Sequence, residues 1–368
     1  MPEDVAEKHI VSGKAWEEYC ERLKAAGAAL LYPGAPLDGP QQVEGVRYLT
    51  RLTRASLEAF VEYNDPYFPE LRRMVHETVK MGADNPDNHY LNAQIDGNVE
   101  YVIEGERNTI HYLGFFTQNG NYGSTGGLTP CGVLEGDDIV VRDDGTFTIH
   151  LSHKPKGENW LKTEPDTGLI MVRQTYMHRD TEEPATMTIR AIGGPDSPLP
   201  LTAEQLESRL KTAALFVAGA PMLFSRWAKG YQKHTNQLPL FDPEVSNNAG
   251  GDANILYYHS HWKLADDEAL VINTPVPECD MWNFQLNNYW MESLDYRFFR
   301  ICINKGSAVT EPDGSVKVIV SHRDPDHPNW IQTAGHNEGT MCWRWYRPAG
   351  LKGPEPSTQV VKFDKLVT

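Results

Sequence analysis

Glu292 and Asp324 are the two carboxylates best placed to divide the roles of acid and base. Glu292 lies in WMESLDYR, residues 290–297, and Asp324 in SHRDPDHPNW, residues 321–330. Arg297 follows the first; His322, Arg323 and His327 surround the second. Two carboxyl groups whose surroundings push their pKa values apart can protonate a leaving group and activate water, the chemistry of glycoside hydrolysis. In this reading Glu292 and Asp324 are the acid/base pair, Arg323 and Arg344 hold anionic or developing charge, and His322 and His336 assist. A salt-bridged loop cluster would give the same pattern.

Two further constellations carry chemistry. In a strand from Trp282 to Trp290, Asn283, Gln285 and Asn287 share one face, because side chains alternate with period two. A row of amides can both donate to and accept from a hydroxyl-rich ligand, although a solvent-facing side of a sheet has the same look. His259 and His261 stand two apart, so both rings lie on one side of an extended strand and could begin a divalent-metal site if a third ligand joins them. The chain contains neither GxSxG nor CxxC, so nucleophilic serine catalysis and a zinc knuckle are not expected.

The elements that position these residues come in two copies. DGTFTIHLSHKPKGENW, beginning at Asp144, is matched by DGSVKVIVSHRDPDHPNW, beginning at Asp313. Gly145 corresponds to Gly314, Ser152-His153 to Ser321-His322, Asn159-Trp160 to Asn329-Trp330, and Arg173 to Arg344. Gln118 to Tyr122 resembles Gln285 to Tyr289. An internal repeat settles architecture before other signals. Residues shared by the copies are expected to hold the fold, with Trp160 and Trp330 largely buried, each near the edge of its own unit's core; residues found in one copy only are expected to do the chemistry.

The 368 residues, 40% hydrophobic and 10% aromatic, describe a globular chain with a sizeable core. Its formal charge of -16, without any basic run, argues against nucleic acid as a partner. Five scattered cysteines suit reduced thiols and a cytoplasmic location. No signal peptide or membrane-spanning stretch is expected, and the oligomeric state is left open.

Along the chain, residues 14–80 read as helical, and residues 1–97 form an N-terminal helical segment. A first β unit covers 98–194. A helical insert and linker cover 195–250, with a capping box at Thr202 and a break at Gly219 and Pro221. The second β unit covers 251–350, and 351–368 form an extended, exposed tail. The predicted fold is mainly β with α: two related antiparallel β-sandwich, jelly-roll-like units with helices before and between them.

DEALVI at 267–272, MWNFQLNNYWMESLDYR at 281–297 and SHRDPDHPNWIQTAGHNEGTMCWRW at 321–345 resemble a bacterial family known only as domain of unknown function number twelve-fourteen. The resemblance is specific over residues 250–350. It implies a jelly-roll-like C-terminal domain and no agreed activity.

The leading expectation is a glycosidase-like hydrolase acting on a polar, hydroxylated small molecule. Its pocket would be lined by Asn283, Gln285 or Asn287, with Glu292, His322, Arg323, Asp324 and His336 at the mouth. One alternative is a non-catalytic protein that binds a carbohydrate or another small molecule. Another is a metal-dependent enzyme built on His259 and His261. No cofactor is expected in the first two readings; a divalent metal enters only with the third.

Overall fold

The computed structural model describes residues 5–366 apart from Ser124 and Gly126. The first β unit holds β1 (Asn88–Gln94), β2 (Tyr101–Glu106), β3 (Tyr112–Asn119), β4 (Thr129–Glu135), β5 (Thr146–Ser152), β6 (Trp160–Lys162), β7 (Thr167–Thr175) and β8 (Thr186–Ala191). Its sheets run β1-β7-β3-β4 and β6-β5-β2-β8. The second unit holds β9 (Ile255–Lys263), β10 (Glu268–Pro275), β11 (Met281–Asn287), β12 (Cys302–Asn304), β13 (Ser315–Ser321), β14 (Trp330–Gln332), β15 (Glu338–Tyr346) and β16 (Ser357–Lys362). Its sheets run β9-β15-β11-β12 and β14-β13-β10-β16. Adding eight to each strand number converts the first unit into the second. The pairings are antiparallel except β5–β6 and β13–β14, which are parallel in both units.

Each unit is a two-sheet sandwich with its own core. Phe115, Phe147, Ile149, Ile170 and Val172 fill the first; Trp282, Phe284, Val318, Trp343 and Trp345 fill the second. The repeat persists at the level of single hydrogen bonds. Asn159 Nδ2 donates to the Val140 and Thr148 carbonyls, and its Oδ1 accepts from the Val140 N–H. Asn329 does the same with Val309 and Lys317. Both amides are buried, so each replaces a piece of sheet ladder that the loop before the strand would otherwise lack. We predict that Asn329→Ala costs about 1.5–4.5 kcal/mol, the loss of three hydrogen bonds at about 0.5–1.5 kcal/mol each. An unchanged urea midpoint would contradict this role.

Trp160 and Trp330 lie at the edge of each unit as expected but are less buried than expected. Both are only partly buried, because the short strands they open lie at sheet edges. Their indole N–H groups donate to Ser152 O at 3.0 Å and Ser321 O at 3.2 Å, so they clamp an edge rather than plug a core. The upstream match is also displaced by two residues. Gly114 and Asn283 face the equivalent Arg173 and Arg344, which makes Gln118 the counterpart of Asn287 and not of Gln285.

The helices are α1 (Val5–Val11), α2 (Lys14–Ala26), α3 (Gly39–Leu57), α4 (Ala203–Tyr231) and α5 (Pro243–Asn248). Residues 63–87 contain no α-helix, and the first unit begins at Asn88 rather than at 98. Helix α4 starts at the expected Thr202 capping box but runs unbroken through Pro221. Its buried face, Ala213, Ala214, Val217, Ala220, Phe224 and Ala228, continues on both sides of the proline. Tertiary burial therefore outweighs the lost backbone bond. Gly219 serves close approach: a Cβ there would lie 2.3 Å from the Tyr122 carbonyl oxygen. The tail is extended as expected, yet it is not free, because β16 pairs with β10 and completes the second unit.

Candidate functional site

A cavity of about 380 Å³ lies between the two units, within the size range of small-molecule sites. Strand alternation builds it. In β1 and β7, Ala93, Ile170 and Val172 point into the sandwich, while Tyr90, Asn92, Met171 and Arg173 line the cavity. In β9 and β15, Leu256, Tyr258, Trp343 and Trp345 point inward, while Tyr257, His259, Arg344 and Tyr346 line the cavity. The outer faces of two equivalent sheets thus meet, and α4 and the segment 81–85 complete the wall.

The repeat places one arginine and one tyrosine from each unit on this wall. Arg173 pairs across the ladder with Tyr90, and Arg344 with Tyr257. Both guanidinium groups are buried. Arg344 Nη1 donates to Gln285 Oε1 at 2.6 Å and Asn283 Oδ1 at 3.3 Å, and Nη2 donates to the Ala83 carbonyl at 2.5 Å. These acceptors are all neutral. The neighbouring carboxyls of Asp84 and Asp87 are fully buried, and burial pushes both above the ordinary carboxylate value. Arg173 sits 4.5 Å from the Phe116 ring centroid and bonds the Gly250 carbonyl. Its Nη1 is 3.5 Å from Asp252 and has no hydrogen-bond partner among the described residues.

Three tyrosine hydroxyls add donors. Tyr90 accepts from the Asn85 N–H at 3.0 Å, Tyr257 from the Asp252 N–H at 3.1 Å, and Tyr346 from Asn85 Nδ2 at 2.5 Å. None of the three donates its own proton to a described residue. Burial raises all three pKa values, that of Tyr257 to about 12, so the protons stay on at neutral pH. Each hydroxyl therefore has a proton to offer to an acceptor inside the cavity.

His259 lies parallel to Tyr231 and Tyr257, with ring centroids 5.4 and 5.8 Å away. Among the described residues its Nδ1 has no hydrogen-bond partner. Burial, with the nearby Arg344 charge, lowers its pKa from 6.5 to about 3. The folded state therefore holds a neutral imidazole. Its contribution to stability is complete above about pH 6.5 and is lost as pH falls toward 3, because the unfolded chain takes up the proton first. We predict that His259→Asn flattens the acid side of the stability curve by up to about 1.4 kcal/mol per pH unit. Urea midpoints measured from pH 7 to pH 4 check this; parallel curves for variant and parent would refute it.

Of the residues singled out from sequence, Arg344 and His259 reach the cavity. The others do not line it. Asn283, Gln285 and Asn287 do share one face, but that face is fully buried. Asn283 bonds Asn85 and Asp87; Gln285 bonds the Asp84 carbonyl and Asn287; Asn287 reaches Thr340. They hold segment 83–87 and orient Arg344 instead of meeting a ligand. Glu292 and Asp324 do not form a pair. Glu292 is buried against α3 in an ion pair with Arg51 at 2.6 Å, whereas Asp324 is exposed and caps the Asp326 N–H of its own loop. Arg323 is exposed and lies over the Phe363 ring. His322 bonds Thr333 Oγ1 at 2.9 Å, and His336 bonds Glu44 of α3 at 2.8 Å. These residues fasten the second unit to its own loops and to α3. His259 and His261 occupy one side of β9 as expected. His261, however, lies 3.5 Å from Glu338 and 3.1 Å from Thr235, and among the described residues no three His, Cys, Asp or Glu side chains form a metal-ligand group.

Sequence reasoning missed Tyr90, Arg173, Tyr257 and Tyr346 as site residues. The usable signal was a pair of arginines inside apolar strands, MVRQ at 171–174 and CWRW at 342–345, at matching positions of the repeat. A charge in mid-strand needs a local reason.

One family match and one solved structure agree with this architecture. The family described as protein of unknown function (DUF1214) matches residues 132–179 and 265–350, one segment in each unit. The crystal structure of an uncharacterised protein from Burkholderia cenocepacia is similar at 46% identity and a TM-score of 0.95, covering 97% of this chain and 99% of that one. The VPA0106 protein from Vibrio parahaemolyticus aligns at 13% identity and a TM-score of 0.47, covering 93% and 100%. No curated protein matches the chain. Among the described residues no helix is long and apolar enough to cross a membrane.

Proposed function

Because the chain belongs to the DUF1214 family, whose function is unknown, we propose its role from the cavity: it binds a small organic anion between its two β units. The observation that carries this reading is the arginine pair. Arg173 and Arg344 stand at equivalent positions of the repeat, both buried, and both on one cavity. A buried guanidinium without an anionic partner carries a large desolvation penalty. Among the described residues Arg344 has only neutral direct partners, and Arg173, 3.5 Å from Asp252, keeps an N–H without a hydrogen-bond partner. Three tyrosine hydroxyls with protons to offer complete a donor-rich wall that suits a carboxylate or similar oxyanion.

This reading develops the small-molecule-binding alternative from the sequence and shifts its ligand from an uncharged sugar to an acid. The amides that would have met sugar hydroxyls are already used inside the protein. The glycosidase-like reading loses its acid/base pair, since Glu292 and Asp324 occupy separate surroundings. All five cysteines are free thiols, which supports a reducing compartment such as the cytoplasm.

Calorimetric titration with benzoate and its neutral isostere benzamide tests the proposal. Benzoate is expected to bind with one-to-one stoichiometry and benzamide at least about 10-fold more weakly, the difference that one charge-assisted contact of about 1.5–3 kcal/mol provides. Equal affinity for acid and amide would remove the basis of the proposal.

A further inference from the structure

The cavity has a second chemistry besides its arginines. Helix α4 presents Phe216, Phe224 and Trp227 to it, and the segment before β1 adds Met74 and Met81. Phe224 meets Trp227 edge-on at 5.7 Å and 85°, and Tyr122 at 5.4 Å and 68°. These rings fix one another, so the apolar wall is a preformed surface and not a set of loose side chains. The arginines and the three tyrosines come from the two sheets, and Phe216, Phe224 and Trp227 from the helix that the sequence inserts between them.

From this division we propose that the occupant is an amphipathic organic acid, with its carboxylate on the Arg344 and Tyr257 side and its hydrocarbon or aromatic body against α4. The inference rests on the anion reading above and adds the ligand's class and orientation. An inorganic anion would satisfy the donors but leave the apolar wall in contact with water. A neutral hydrocarbon would fill that wall but leave Arg344 with neutral direct partners only and the Arg173 Nη1 group without a hydrogen bond to any described residue. Only a molecule with both parts matches both walls.

The test is a calorimetric series of straight-chain carboxylates from acetate to octanoate against the full chain, with the matching alcohols as controls. Each added methylene is expected to tighten binding about threefold to fourfold until the cavity is full, as burial of one methylene provides. The alcohols should bind at least about 10-fold more weakly than the acids of equal length. Phe224→Ala and, as a milder change to a partly buried ring, Trp227→Ala should flatten the slope with chain length. Acids of all lengths binding alike would overturn the amphipathic assignment and leave the anion reading standing. No acid binding at all, or acids and alcohols binding equally, would overturn the anion reading and this inference with it. An unchanged slope in a folded Trp227→Ala variant, together with an unchanged slope in Phe224→Ala, would overturn the placement of the body on α4.

Discussion

Arg344→Met is expected to weaken binding of a small carboxylate by about 30-fold or more and to leave the chain folded. The substitution removes the guanidinium from the cavity but keeps a side chain of similar length. Losing one partner of a buried, hydrogen-bonded charge pair costs about 2–5 kcal/mol of binding, which corresponds to about 30-fold to several thousand-fold in affinity. Stability responds to two opposed effects. The Gln285 and Ala83 oxygens lose a donor, at about 1–3 kcal/mol each, while the cost of burying a cation among neutral acceptors disappears. The net change should therefore be small beside the change in binding. Arg173→Met should behave differently, because Asp252 then remains buried without its cation 3.5 Å away. That variant should lose both binding and stability. Titration and urea unfolding of the two variants side by side distinguish them, and a folded Arg344→Met that binds acids as tightly as the parent would exclude Arg344 from the site.

Trp290→Ala should cost about 3–5 kcal/mol, the range for truncating a fully buried aromatic side chain. Trp290 is 1% exposed, and its indole N–H donates to the Gln41 carbonyl at the start of α3 at 2.8 Å. Gly45, one turn on, has no room for a side chain, since a Cβ would stand 2.8 Å from the Trp290 ring. The ring is thus the plug that seats the N-terminal helices on the second unit, beside the Arg51–Glu292 and Glu44–His336 contacts. Urea unfolding with limited proteolysis measures the loss. Cleavage should appear first around α3. A variant that melts with the parent and resists protease equally would show that these helices are held elsewhere.

The repeat was legible because its turn and edge residues do local work. The Asp-Gly turns, the Asn-Trp pairs and the Ser-His pairs recur because each unit needs the same backbone bonds satisfied at the same places. The alternation in β11 was also legible, and it put Asn283, Gln285 and Asn287 on one face correctly. What covers that face was not legible, because segment 83–87 lies about two hundred residues away in sequence. Strand β1 was missed for a related reason. Its cavity side is Asn88, Tyr90, Asn92 and Gln94, so NHYLNAQ lacks the apolar alternation that marks a half-buried strand. The rule that shared residues hold the fold does not anticipate Arg173 and Arg344, which are shared and line one cavity. When two copies turn equivalent faces toward each other, a shared residue becomes a pair at one site. The unmatched Arg323, Asp324 and His336 serve loops and helix docking, work that only the second unit performs.

A crystal structure of the protein with octanoate bound tests the central claim most directly. The account predicts the carboxylate oxygens within about 2.7–2.9 Å of Arg344 nitrogens, the distance of a charge-assisted hydrogen bond, with a tyrosine hydroxyl of the cavity donating to the same group and the alkyl chain lying along α4. Octanoate found outside the cavity, or inside it with its carboxylate turned away from both arginines, would contradict the account.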